Sequence, residues 1–306
     1  MAQGGISQRS AVTRRTVLIS AAAGAAATVT LGVGASSGVL RPAEKGLKPV
    51  ATLPSTTPAL ASLPSRGVMR VERVRSTYRR QNVEIATFLP SVTSGNLPVC
   101  LLLHGRFGNA RSAPGGDLAG ALANAVNKGH VRPFAFVAVD GGANTYWHQQ
   151  QNDNPMAMLL EEVPRWLVER GLGGPDGVPF AVSGISMGGF GAFLYARRRL
   201  EQRNPVRAIA AVSPALITSW GEMSKRRAFR DQAEWASMDP LRNIDKHGAA
   251  KVGMWCGTED SFIGGVRQFI QRAKPAVAAT GPGGHNHAFY NRVLPDVVRF
   301  VGRNLP

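Results

Sequence analysis

An α/β fold, with a mostly parallel central sheet flanked by helices on both faces, is predicted by three features of this 306-residue chain. Short runs such as Leu97–Leu103 and Pro133–Val139 are apolar at every position, as strands buried on both faces must be. Between them lie segments with apolar residues at helical spacing, so strands and helices alternate. At residues 180–198 an apolar run enters a glycine-rich turn and a helical pattern leaves it, the strand-turn-helix unit of such folds.

The elements follow in order. Val68–Arg75 and Val83–Phe88 alternate apolar and polar residues around Arg79–Asn82 and read as an antiparallel pair of edge strands. Leu97–Leu103 is a central strand ending in His104-Gly105-Arg106-Phe107. Leu118–Ala125 reads as a helix, and Pro133–Val139 as the next strand, ending in Asp140-Gly141-Gly142. Met156–Val168 is amphipathic, with Pro164 placed to kink it. After the turn come short apolar runs at Ala208–Val212, Val252–Trp255 and Ala276–Ala279, then a closing helix at Tyr290–Val301. Residues 214–250 lack strand patterning and have the length to cap a site.

Composition narrows the class. A hydrophobic share of 44% with 18% charged residues is that of a globular chain. Cys100 and Cys256 each sit in an apolar run and read as buried free thiols, because strands several places apart cannot be bridged. Residues 1–35 carry Arg9, Arg14 and Arg15, no acid, an uncharged run Thr16–Ala35 and the small-residue phrase Val33-Gly34-Ala35. That is the tripartite form of a secretory signal, and Thr13-Arg14-Arg15-Thr16-Val17-Leu18 resembles a twin-arginine signal. The alternative is a retained N-terminal membrane anchor, since twenty uncharged residues just span a bilayer. Residues 36–66 hold five prolines and read as a linker, leaving 67–306 as the main folded domain. The formal charge is +17; without the first 35 residues it is still +14. Anionic cell-wall polymers or a lipid surface are the partners this charge suits outside the cytoplasm. No nucleic-acid motif accompanies it, and oligomeric state is not legible.

The chemistry sits in Gly184-Ile185-Ser186-Met187-Gly188, a G-x-S-x-G. Such a turn presents the serine oxygen above the sheet, next to a helix N-terminus. A serine nucleophile needs a base and an acid that orients the base, here expected on later strand ends. Glu259-Asp260 follows the Val252–Trp255 strand, and His285-Asn286-His287 follows Gly283-Gly284 after the next. Asp260 is preferred to Glu259, and His285 to His287, because two glycines give His285 a tight loop. His104 reads as a buttress of its loop, and His130, His148 and His247 as surface or structural histidines. Oxyanion donors are expected from the Met187 N–H and the Arg106 N–H, and Tyr146 and Trp147 are placed at the entrance. No ligand spacing for a metal accompanies His285 and His287, and no cofactor is implied.

With these residues in place, the chain resembles the esterase D-like branch of the α/β-hydrolases, which includes S-formylglutathione hydrolases, feruloyl esterases and mycolyltransferases. The matching phrases are Leu102-Leu103-His104-Gly105, Val139-Asp140-Gly141-Gly142 with Tyr146-Trp147, Gly184-Ile185-Ser186-Met187-Gly188-Gly189-Phe190-Gly191-Ala192, Gly257-Thr258-Glu259-Asp260, Gly283-Gly284-His285 and Leu294–Phe300. The resemblance implies an α/β-hydrolase fold, a triad of Ser186, Asp260 and His285, and Arg106 and Met187 as oxyanion donors. It implies a serine esterase, and the N-terminal signal pattern makes that an exported one. Acyl transfer to a sugar hydroxyl and a non-catalytic cell-wall binding role on the same scaffold stay open. Two phrases depart from the family: Arg106-Phe107 after His104-Gly105, and His287-Ala288-Phe289-Tyr290 after the histidine loop.

Overall fold

The eight strands of the central sheet follow the order β1-β2-β4-β3-β5-β6-β7-β8. They come from a computed structural model that describes residues 66–91 and 95–306. The expected leader and, apart from Arg66, the expected linker lie outside the described residues. β1 (Val68–Ser76) and β2 (Gln81–Leu89) form an antiparallel hairpin. The turn is earlier than the sequence suggests: Gln81 and Asn82 pair with Ser76 and Arg75 instead of separating the strands. Nor are both strands at the edge. β2 pairs with β4 (Ala135–Val139) as well as with β1, so of the two only β1 lies at a sheet edge.

From β4 inward every pairing is parallel: β3 (Val99–Leu103), β5 (Ala181–Ile185), β6 (Ala208–Val212), β7 (Lys251–Gly257) and β8 (Val277–Gly281). Alternation of side chains along a strand explains why these runs are apolar throughout. Leu101 and Leu103 enter one core, with Phe190 and Phe193 of α4 (Met187–Glu201); Cys100 and Leu102 enter the other, with Leu122 of α1 (Leu118–Asn127) and Val297 of the C-terminal helix. Cys100 and Cys256 are buried free thiols on β3 and β7, and burial pushes both thiols up, Cys256 to about 12.

Pro164 alters its helix in a specific way. α2 (Pro155–Ala157) runs into a π-helical stretch, Met158–Glu162, before α3 (Val163–Glu169). Val163 N–H donates to the Met158 carbonyl, five residues back, immediately before the position where Pro164 has no N–H. Residues 214–250 contain only two short helices, α5 (Trp220–Ser224) and α6 (Gln232–Met238). After them come α7 (Ile263–Ala273) and α8 (His287–Gly302), the latter starting earlier than expected because Asn286 Oδ1 caps it by accepting the Phe289 N–H. Among the described residues no helix is long and apolar enough to cross a membrane.

Asp239, the C-cap of α6, is 2% exposed, and its carboxyl is pushed up to about 6. Burial raises it; the Leu241 N–H and Arg242, 3.5 Å away, only partly offset that. The folded state therefore holds the proton more tightly than the unfolded chain, and stability falls as pH rises through about 6. Asp239→Asn keeps the acceptor for Leu241 but removes the buried charge. It is expected to stabilise the fold by about 2 kcal/mol at pH 8, a few degrees in Tm, and by almost nothing at pH 4. Thermal unfolding at the two pH values checks this; an equal shift at both contradicts it.

Candidate active site

The site begins with backbone geometry at Ser186. The residue closes β5 and opens α4 with φ +58° and ψ −119°, a conformation that costs a side-chain-bearing residue about 1–3 kcal/mol. Neighbouring structure holds it there. The Ser186 N–H donates to the Val212 carbonyl, and its own carbonyl accepts from Gly189, Phe190 and Ala215. The flanking glycines allow the close approach this requires. A Cβ on Gly184 would lie 2.2 Å from the Gly188 carbonyl oxygen, and one on Gly188 would lie 2.0 Å from that of Leu103. Gly188→Ala thus forces strand and helix apart; the expected loss is about 3 kcal/mol, read as a lower denaturant midpoint. A midpoint within error of the wild type contradicts the close-packing account.

Two strand-end loops meet the serine. His285, after β8, has Nε2 2.9 Å from Ser186 Oγ. Its Nδ1 is 2.8 Å from Asp260 Oδ2, on the loop after β7. The carboxylate fixes the tautomer, so Nδ1–H donates to Asp260 and Nε2 accepts from the serine hydroxyl. The Asp260 side chain is fully buried and its Oδ1 accepts from the Phe262 N–H at 2.9 Å. Burial acts to raise the Asp260 carboxyl, but the hydrogen bonds from His285 and Phe262 outweigh it and hold it below the usual carboxylate range. The two rivals point elsewhere: Glu259 is exposed, and His287 Nδ1 meets the Gly115 carbonyl at 3.1 Å.

Sequence reading missed two partners of the imidazole. Phe262 packs edge-on to His285 at 5.0 Å and Tyr290 does so at 5.7 Å. Both lie within five residues of the acid or the histidine, which was the available signal. Together they bracket the imidazole from two sides and limit its tilt.

The loop after β3 is built on His104. Its Nε2 accepts the Gly141 N–H at 2.8 Å, and its Nδ1 donates to the Gly105 carbonyl at 2.7 Å. Burial lowers its pKa, so it is a neutral ring with both nitrogens engaged. Phe107, at φ +62°, is held by its N–H on the Ala143 carbonyl at 2.7 Å. Among the described residues, the N–H groups of Arg106 and Met187 take no carbonyl partner. Trp147 does not line the entrance. It is fully buried, 4.9 Å from His104 and donating Nε1–H to the His104 carbonyl, because the left-handed backbone at Tyr146 and Trp147 turns it inward. Tyr146 does reach the wall of the cavity, although only 1% exposed.

That cavity, about 540 Å³, opens above Ser186 and His285. Its walls include Phe107, 72% exposed, and Arg226 from the 214–250 segment. Among the described residues, no three His, Cys, Asp or Glu side chains gather as metal ligands.

The Esterase family model, described as Putative esterase, matches residues 76–294. The chain belongs to this esterase family. As a member it is a carboxylic ester hydrolase. Solved structures share the esterase's fold. A ferulic acid esterase superposes with a TM-score of 0.65 at 18% identity, covering 79% of this chain and 100% of its own. An S-formylglutathione hydrolase from Agrobacterium tumefaciens gives 0.60 at 16% identity, covering 79% and 96%. A fluorophosphonate-binding serine hydrolase of Staphylococcus aureus gives 0.59 at 16%, covering 77% and 98%. No curated protein sequence matches the esterase significantly.

Proposed function

We propose that the esterase cleaves its substrate through an acyl-enzyme on Ser186, with His285 as base and Asp260 as its orienting acid. The observation that carries this reading is the continuous hydrogen-bonded line from Ser186 Oγ through both imidazole nitrogens to Asp260. His285 Nε2 takes the hydroxyl proton as Oγ adds to the ester carbonyl carbon. The carbonyl electrons pass to oxygen, which the N–H groups of Met187 and Arg106 stabilise; one such donor typically contributes about 3 kcal/mol to the transition state. Collapse expels the alcohol, which takes the proton from His285. Water then adds to the acyl group with His285 again as base, releasing the acid and restoring Ser186. Asp260 holds the tautomer and stabilises the imidazolium that forms twice per cycle.

The reaction is tested with p-nitrophenyl esters of rising acyl length, using Ser186→Ala as control. Cleavage that depends on Ser186 supports it; cleavage indifferent to the substitution contradicts it. The reading also sets the reaction outside the cytoplasm, supported by the arginine pair and uncharged run of residues 1–35. Protein recovered from the medium with an N-terminus near residue 36 is the expected finding; an intact chain confined to the cytoplasm contradicts it.

A further inference from the structure

We infer that the cavity above Ser186 selects esters that also carry an acidic group, a carboxylate, sulfonate or phosphate, seated between Arg106 and Arg226. This rests on the acyl-transfer reading of the same site.

The walls of the cavity carry two guanidinium groups and no carboxylate. The nearest acid, Asp260, is fully buried behind His285 and already engaged. Among the described residues neither Arg106 nor Arg226 forms an ion pair, whereas Arg197, Arg198 and Arg230 all do. Arg226 Nε is buried and has no hydrogen-bond partner. The Nη groups of the same guanidinium also form no hydrogen bond among the described residues, and they are what an anion in the cavity would meet.

Both cations lie over ring faces. Arg106 lies over Phe107 at 4.8 Å, and Arg226 over Phe262 at 5.2 Å. A single loop fixes both carriers. The Ala143 carbonyl accepts the Phe107 N–H, and Asn144 Nδ2 donates to the Arg226 carbonyl at 2.7 Å. Tyr146, two residues further on, contributes to the same wall; both arginine charges act on its phenol, against the burial that raises its pKa. Two like charges converging on one wall repel each other, and an anionic substrate relieves that repulsion while a neutral one does not. The remaining surface, with a formal net charge of +17 over the whole chain, draws anions toward the opening.

The test uses two matched probe pairs and the full chain. One pair puts the charge on the alcohol side, 4-acetoxybenzoate against its methyl ester. The other puts it on the acyl side, mono-p-nitrophenyl adipate against its methyl ester. In at least one pair kcat/KM is expected to favour the charged member about tenfold, the size of one charge-assisted hydrogen bond, and to lose that preference at 1 M salt. Arg226→Gln is expected to abolish the preference and Arg226→Lys to retain part of it. Among the described residues the Arg226 side chain makes no hydrogen bond, and a matching melting curve verifies each variant. Equal cleavage within both pairs, or a preference that Arg226→Gln leaves intact, overturns the inference. Labelling of Ser186 by a fluorophosphonate separates the failures. A chain that labels but shows no preference refutes the anion site alone; one that neither labels nor cleaves refutes the acyl-transfer reading as well.

Discussion

Ser186→Ala lowers kcat on a p-nitrophenyl ester by about 10⁴- to 10⁶-fold, the range for removal of a nucleophile from a working triad. The geometry leaves no substitute. His285 Nε2 faces Ser186 Oγ alone, and the nearby Ser261 lines the same cavity with no base in hydrogen-bond reach. The fold is expected to tolerate the change, because the backbone bonds of residue 186 are unaffected. A companion substitution separates chemistry from architecture. Ser186→Gly removes the hydroxyl and also the penalty for φ +58°, so it is expected to be equally inactive yet more stable by about 1 kcal/mol. Paired kinetics and thermal unfolding check both halves. An inactive Ala variant that is also unfolded, or a Gly variant less stable than wild type, contradicts the strained-elbow account.

Asp260→Asn is expected to lower kcat by about 10³- to 10⁴-fold. The amide is nearly isosteric but presents N–H toward His285 Nδ1, which favours the tautomer protonated on Nε2. That ring cannot accept the Ser186 proton. The loss is therefore in kcat, with KM moving little, since Asp260 is screened from the cavity by His285. Stability follows a definite sign. The Asp260 carboxyl sits below its ordinary value in the fold, so its contribution is present above a pH of about 4 and lost as pH falls through the lowered pKa. The Asn variant should melt lower than wild type at pH 7, and the gap should close in acid. A variant retaining more than a tenth of the wild-type kcat contradicts the orienting role.

Much of the architecture was written in two-sided apolar runs. Val99–Leu103, Ala135–Val139 and Ala208–Val212 have no polar face to show water, and each is a buried parallel strand. The strand ends then fix which loops converge, so the spacing of Ser186, Asp260 and His285 along the chain carried their spatial meeting. What sequence did not carry was side-chain direction in irregular loops. Phe107, Tyr146, Trp147, Ser186 and Ser213 all adopt positive φ without being glycine, and nothing local announces that. Hence Trp147 points into the core and not the entrance. Nothing local marked Arg226; its place on the cavity wall depends on how 214–250 folds back. The β2 position was misread because a strand with partly polar ends looks like an edge until its partner is known.

The most direct test of the central claim is acid quenching of the enzyme during turnover of p-nitrophenyl butyrate, followed by mass spectrometry of the intact protein and its peptides. One butyryl group is expected, on the peptide that contains Ser186, and none on the Ser186→Ala protein. Turnover with no acyl group on the protein, or with the group on any other residue, would contradict the account.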